Sequence, residues 1–142
     1  MHEFIISCII GYISPITNGG IVKKILFLIC LSGLAFAKVT EIKSTDELSH
    51  EINNSNNTTF VDCYSTWCPP CKKLHSLFDE WSNQYSEKGK FLKVNLERVT
   101  DVPSKYNISS MPTLLIFDSE GNLTDKKIGL NEIESFFSTL KD

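Results

Sequence analysis

Cys68 and Cys71, with two residues between them, sit at the boundary between two different hydrophobic patterns. Upstream, Thr59-Phe60-Val61-Asp62-Cys63-Tyr64 is short, β-branched and aromatic, which is the composition of a buried strand. Downstream, from Lys72 to Glu87, the residues Leu74, Leu77, Phe78, Trp81 and Tyr85 recur at helical spacing. Lys72, Lys73, Asp79, Glu80 and Glu87 fall elsewhere on that helix. The cysteine pair therefore lies where a strand runs out and a helix begins. A Cys-x-x-Cys pair in that position reads as redox chemistry or as half of a zinc site. Zinc needs about four ligands. Cys63 and His75 are the other candidates, but Cys63 lies within the strand and there is no second Cys-x-x-Cys. The expectation is redox chemistry with no metal.

The rest of the chain alternates strand and helix. Val39-Thr40-Glu41-Ile42 is a short strand, and Ser44 with Glu47 forms a capping box for a helix reaching about Ile52. An Asn-rich loop beginning at Asn53 leads to the central strand. Lys88-Gly89-Lys90 stops the long helix, and Phe91 to Leu96 is the next strand. Asp101 to Tyr106 is a short helix, and Leu114 to Phe117 is a strand. The turn Asp118-Ser119-Glu120-Gly121 makes a hairpin with Leu123 to Ile128. Gly129 ends the hairpin. Asn131 is placed to cap a last helix whose buried stripe is Ile133, Phe136, Phe137 and Leu140. The order β-α-β-α-β-α-β-β-α predicts an α/β fold in three layers. A mixed central sheet, parallel first and antiparallel at the final hairpin, has helices on both faces.

The chain has 142 residues, room for one domain, and at 42% hydrophobic it can build a sizeable core. Formal net charge is -3 with charges interspersed, which gives no basic surplus for nucleic acid. The first 37 residues read as a leader. Lys23-Lys24 is a charged n-region, Ile25 to Leu34 is an apolar run too short to span a bilayer, and Ala35-Phe36-Ala37 is a small-x-small cleavage site. Cleavage after Ala37 would start the mature chain at Lys38 and leave no membrane span. Residues 1–21 fit a leader poorly, and we expect the true start near Val22. Removing the leader leaves Cys63, Cys68 and Cys71, which suits one working pair and one leftover thiol. Export places that pair in a bacterial periplasm or a eukaryotic secretory pathway. The sequons at Asn56, Asn57, Asn107 and Asn122 matter only in the latter.

The segment Val61 to Lys72, with Trp67-Cys68-Pro69-Pro70-Cys71 at its centre, resembles the active-site segment of the thioredoxin family. Met111-Pro112-Thr113 resembles the loop that carries that family's cis-proline, at the distance from Cys71 that a gapless alignment requires. Asp62 and Lys93 fall where the family has a buried aspartate and a nearby lysine, and Gly129 matches a glycine after the last strand. The resemblance covers about Lys38 to Asp142. It departs at Cys63, where an apolar aromatic is usual, at Tyr64, where Trp is common, and at Pro69, where Gly is usual.

The resemblance implies a thioredoxin-like sandwich and a protein-disulfide oxidoreductase with a Cys68–Cys71 disulfide. It implies no cofactor, and electrons exchanged with a partner protein. Cys68 is the candidate nucleophile, because a helix N-terminus favours the thiolate that attacks a disulfide. Cys71, one turn inside, is the resolving thiol. Asp62 is read as the proton acceptor for Cys71 through water, with Lys93 tuning it. Trp67, Met111 and Pro112 are read as substrate-binding residues, Met111 offering backbone to an extended peptide. Pro112 is expected to follow a cis bond. Cys63 is read as a small buried apolar residue, and His75 as a solvated helix residue without a role. A monomer acting on protein disulfides or thiols is the resulting picture, with reduction of protein disulfides as its expected activity. An oxidase or isomerase, or a redox-inactive adaptor on the same fold, are the alternatives.

Overall fold

The computed structural model describes residues 39–141, so the expected leader and its cleavage site lie outside the described residues. Five strands and four helices follow the expected order. They are β1 (Thr40–Ile42), α1 (Thr45–Asn53), β2 (Thr58–Tyr64), α2 (Pro69–Gln84), β3 (Gly89–Asn95), α3 (Val102–Lys105), β4 (Thr113–Phe117), β5 (Leu123–Ile128) and α4 (Leu130–Thr139). The sheet order is β1-β3-β2-β4-β5. β3 pairs in parallel with both β1 and β2, whereas β4 runs antiparallel to β2 and to β5. β2 is thus the central strand, and its C-terminal end points directly at Cys68.

Alternation along the strands sorts the core into two layers. Val61, Cys63, Leu92, Val94, Leu115 and Phe117 meet α1 and α3 through Leu48, Ile52 and Val102. Phe60, Phe91, Leu114 and Ile116 meet α2 and α4 through Leu74, Phe78, Ile133 and Phe137. The second layer is aromatic. The Phe137 ring stacks on Trp81 at 4.2 Å between centroids and lies 5.4 Å from Phe60. Truncating such a buried ring costs about 3–5 kcal/mol.

Local signals explain most boundaries. The Ser44 side chain accepts a hydrogen bond from the Glu47 amide, and the Glu47 carboxylate accepts one from the Lys43 amide, so a reciprocal cap opens α1. Three expectations are corrected. α2 begins at Pro69 and ends at Gln84, earlier at both ends than the apolar periodicity implied. Pro69 and Pro70 fit there because first-turn amides have no partner within the helix. Gly89 and Lys90 belong to β3 rather than to a helix stop. A Cβ at Gly89 would lie 2.5 Å from the Thr58 carbonyl oxygen, so close strand pairing selects glycine there. Asn131 does not cap α4. Gly129, at φ +83°, occupies that position, and Glu132 accepts a hydrogen bond from the Ile128 amide instead.

Candidate active site

Cys68 is the N-cap residue of α2, placed there because β2 ends at Tyr64 and the two prolines force helical φ immediately afterwards. Its sulfur accepts a hydrogen bond from the Cys71 amide at 3.3 Å. One otherwise unpaired helix-end donor thus points at the sulfur that must carry negative charge. Cys68 and Cys71 form a disulfide, with S–S 2.11 Å and Cα atoms 5.3 Å apart. Cys68 is 3% exposed and Cys71 fully buried, so a substrate disulfide meets Cys68 first.

Trp67 is 68% exposed, which makes it a surface platform rather than a core residue. The loop that carries it is pinned by Glu97, whose carboxylate accepts hydrogen bonds from the Thr66 amide and hydroxyl at 2.8 and 2.7 Å. Those bonds hold Glu97 below the usual carboxylate range. The Met111–Pro112 peptide bond is cis. Pro112 precedes β4 at the sheet end where β2 runs out towards Cys68. Trp67 and Met111 line one groove of about 260 Å³ with Ser65, Pro103, Ile108 and Ser110.

Beneath the pair, Asp62 is completely buried on the face of the sheet covered by α2 and α4. Neither carboxylate oxygen has a hydrogen-bond donor among the described residues. Desolvation pushes its pKa up to about 7, against the opposing pull of the Lys93 charge; Glu41 and Asp79 add to the rise. Lys93 lies directly opposite Asp62 in the β2–β3 register. Its ammonium, however, binds the Asp79 carboxylate at 2.8 Å. Lys93 therefore acts on Asp62 through space, by charge, and not by the direct contact that adjacency suggests.

Two other titratable groups differ sharply. Cys63 is fully buried, and burial followed by the Asp62 charge holds its thiol well above the ordinary range. It packs in the layer under α1 and α3, on the opposite face from Asp62, so it cannot join Cys68, Cys71 and His75 around one ion. Among the described residues no set of three His, Cys, Asp or Glu side chains is arranged to hold a metal. His75, expected to be solvated, instead directs Nε2 to 3.7 Å from Asp62 Oδ2. The spacing of four from Cys71 was visible in the sequence. That α2 would lay this face across Asp62 was not.

A dithiol pair at a strand–helix junction, with a buried carboxylate below it and a cis-proline loop beside it, defines a thiol–disulfide oxidoreductase. The Thioredoxin family model matches residues 39–142. Thioredoxin-2 of Saccharomyces cerevisiae is 36% identical over 93 residues, which cover 66% of this chain and 88% of the yeast protein. The thioredoxin of Rickettsia felis is 39% identical over 85 residues, 60% of this chain and 80% of that protein. The solution structure of oxidised thioredoxin from Plasmodium falciparum aligns with a TM-score of 0.65 at 29% identity, over 74% of this chain and 100% of that one. The chain belongs to the thioredoxin family and is a protein-disulfide oxidoreductase working by thiol–disulfide exchange.

Proposed function

We propose that this chain is an exported protein-disulfide reductase. Cys68, as the thiolate, attacks a substrate disulfide; a mixed disulfide forms and the first substrate thiol leaves. Cys71 then loses its proton to Asp62 through water and attacks the Cys68 sulfur. The Cys68–Cys71 disulfide forms, the second substrate thiol is released, and two electrons have passed to the substrate. A dithiol partner protein returns the pair to the reduced state by the same exchange in reverse. Lys93 moderates the basicity of Asp62. Trp67, Met111 and Pro112 hold the substrate strand.

The observation that carries this reading is the Cys71 amide directed at the Cys68 sulfur, the more accessible of the two. Reduction of insulin in the presence of dithiothreitol tests it. Wild type should accelerate precipitation, and Cys68→Ser should abolish the acceleration; equal rates would turn the reading towards a redox-inactive adaptor. The potential of the Cys68–Cys71 couple tests the direction. A value near about -270 mV marks a reductant, and one near about -120 mV an oxidant.

Export rests on Lys23-Lys24, the apolar run after it and the Ala35-Phe36-Ala37 site. N-terminal sequencing of protein recovered after secretion should begin at Lys38. Peptides from residues 1–20 in the precursor would refute the late start near Val22.

A further inference from the structure

We propose that His75 relays protons between Asp62 and solvent, so that Cys71, Asp62 and His75 form the exit path for the proton Cys71 loses during resolution. The inference rests on the role proposed above for Asp62 and extends it.

A buried base that takes up a proton in every cycle must also release one in every cycle. Asp62 has no exposed surface through which to do so. Its neighbours offer few outlets. Leu114, opposite it on β4, is apolar. Lys93, opposite it on β3, is a donor without a lone pair, and it is already engaged with Asp79 of α2. The Tyr64 hydroxyl donates to Glu41 of β1 at 2.8 Å, away from Asp62. Cys63 faces the other side of the sheet.

His75 is the group that fits. Its Nε2 is buried and has no hydrogen-bond partner among the described residues, and it lies 3.7 Å from the equally unpartnered Asp62 Oδ2. Two unsatisfied buried polar atoms facing each other are costly unless a proton is shared between them. The gap exceeds a direct hydrogen bond; one water or a small ring rotation closes it. The His75 side chain is 31% exposed although Nε2 is buried, so the exposure lies elsewhere on the side chain. The ring thus spans from Asp62 to the surface. The Tyr64 ring holds it edge-on, with centroids 4.4 Å apart at 88°. His75 also lies one helical turn after Cys71, on the inward side of α2.

Burial, followed by the Lys93 charge, lowers the His75 pKa, with Asp79 opposing. A neutral imidazole offers one nitrogen as acceptor and the other as donor. The transfer then balances without any electron change. Cys71 gives its proton to the Asp62 carboxylate, and Asp62 passes it to Nε2. The imidazolium releases its Nδ1 proton to water, and proton exchange with water converts the resulting Nε2–H tautomer back to the Nδ1–H form, which again offers a bare Nε2 to Asp62.

Single-turnover reduction of insulin, followed from pH 5.5 to 9, tests the relay with wild type, His75→Ala, Asp62→Asn and the double variant. His75→Ala should slow resolution about tenfold near neutral pH, less than the loss of the base itself. Imidazole added to the buffer should restore the rate of His75→Ala but not that of Asp62→Asn, and the double variant should be no slower than Asp62→Asn. A His75→Ala rate within about twofold of wild type across the range overturns the relay, as does a slow variant that imidazole fails to rescue. An Asp62→Asn rate equal to wild type would instead remove Asp62 from the mechanism, a separate outcome. NMR titration of His75 gives a test independent of folding in the His75 variant. Its midpoint should move by about one pH unit between wild type and Asp62→Asn, and an unmoved midpoint shows the pair uncoupled.

Discussion

Asp62 and Cys63 are consecutive residues on β2, and both are completely buried. The pleat sends them to opposite faces of the sheet. Asp62 enters the layer below α2, alongside His75 and the helix that begins with the cysteine pair. Cys63 enters the layer below α1 and α3, among Ile42, Val61, Leu92 and Val94. Burial raises the pKa of each, so that Asp62 exchanges its proton at about pH 7 while Cys63 stays protonated throughout the neutral range. Only Asp62 has a neighbour that gives the proton somewhere to go. Burial alone therefore does not make a titratable residue functional; a proton partner and a position beside the reacting atoms do.

The largest effect should come from removing the Asp62 carboxylate. Asp62→Asn should slow resolution of the mixed disulfide about 10²-fold above pH 7, where the wild-type carboxylate is ionised. The wild-type rate should rise with pH through about 7 and the variant profile should be flat. Cys63→Ala should leave the rate within about twofold at every pH. A Cys63 variant as slow as the Asp62 variant would end the distinction between the two faces.

Stability should respond next, and in the opposite sense. The folded-state pKa of Asp62 is raised from 3.8 to about 7, so the native state holds a proton that the unfolded chain has released between those values. Stability contributed by the neutral carboxyl is full below pH 3.8 and is lost as pH rises to about 7. At pH 8 the buried charge costs on the order of 4 kcal/mol, an upper figure for relief by Asp62→Asn. Urea denaturation should find the variant more stable at pH 8 and little changed at pH 4. Equal stability at both pH values would mean the carboxylate is solvated in the native state.

The smallest effect belongs to Cys63. Cys63→Ala should cost about 1 kcal/mol from a small packing defect, with no pH dependence between 5 and 8, because the thiol stays protonated throughout. In the reduced native protein, iodoacetamide should label Cys68 well before Cys63. Early labelling of Cys63 would show that its side of the core opens.

The element order, the parallel-then-antiparallel sheet and the cysteine pair at the helix start could all be read directly from the chain. They depend on local periodicity: β2 and α2 carry their own patterns, and Pro69-Pro70 mark the first helical turn. Boundaries were less legible where tertiary contact outweighed local signal. Gly89 looks like a helix stop, but the Thr58 carbonyl oxygen and the Phe60 ring, both on the neighbouring strand, require a glycine there. Asn131 has good capping chemistry, yet Gly129 takes the turn because β5 leads into α4 with a positive φ.

The same division runs through the site. Local sequence alone determined Cys68 as an N-cap sulfur, Cys71 one turn inside and Asp62 as a carboxylate in an apolar strand, since each follows from residue type and spacing. Only the tertiary structure decided what those groups face. Lys93 is opposite Asp62 by register, but the folded helix brings Asp79 to its ammonium. His75 has the spacing of an ordinary surface residue until α2 crosses β2 and aims Nε2 at Asp62. Spacing along a helix fixes which residues share a face; which strand that face covers is set by the long-range packing of Leu74 and Phe78 against Phe60 and Phe91. For that reason the redox pair and the carboxylate beneath it were visible in the sequence, and the approach of His75 to that carboxylate was not.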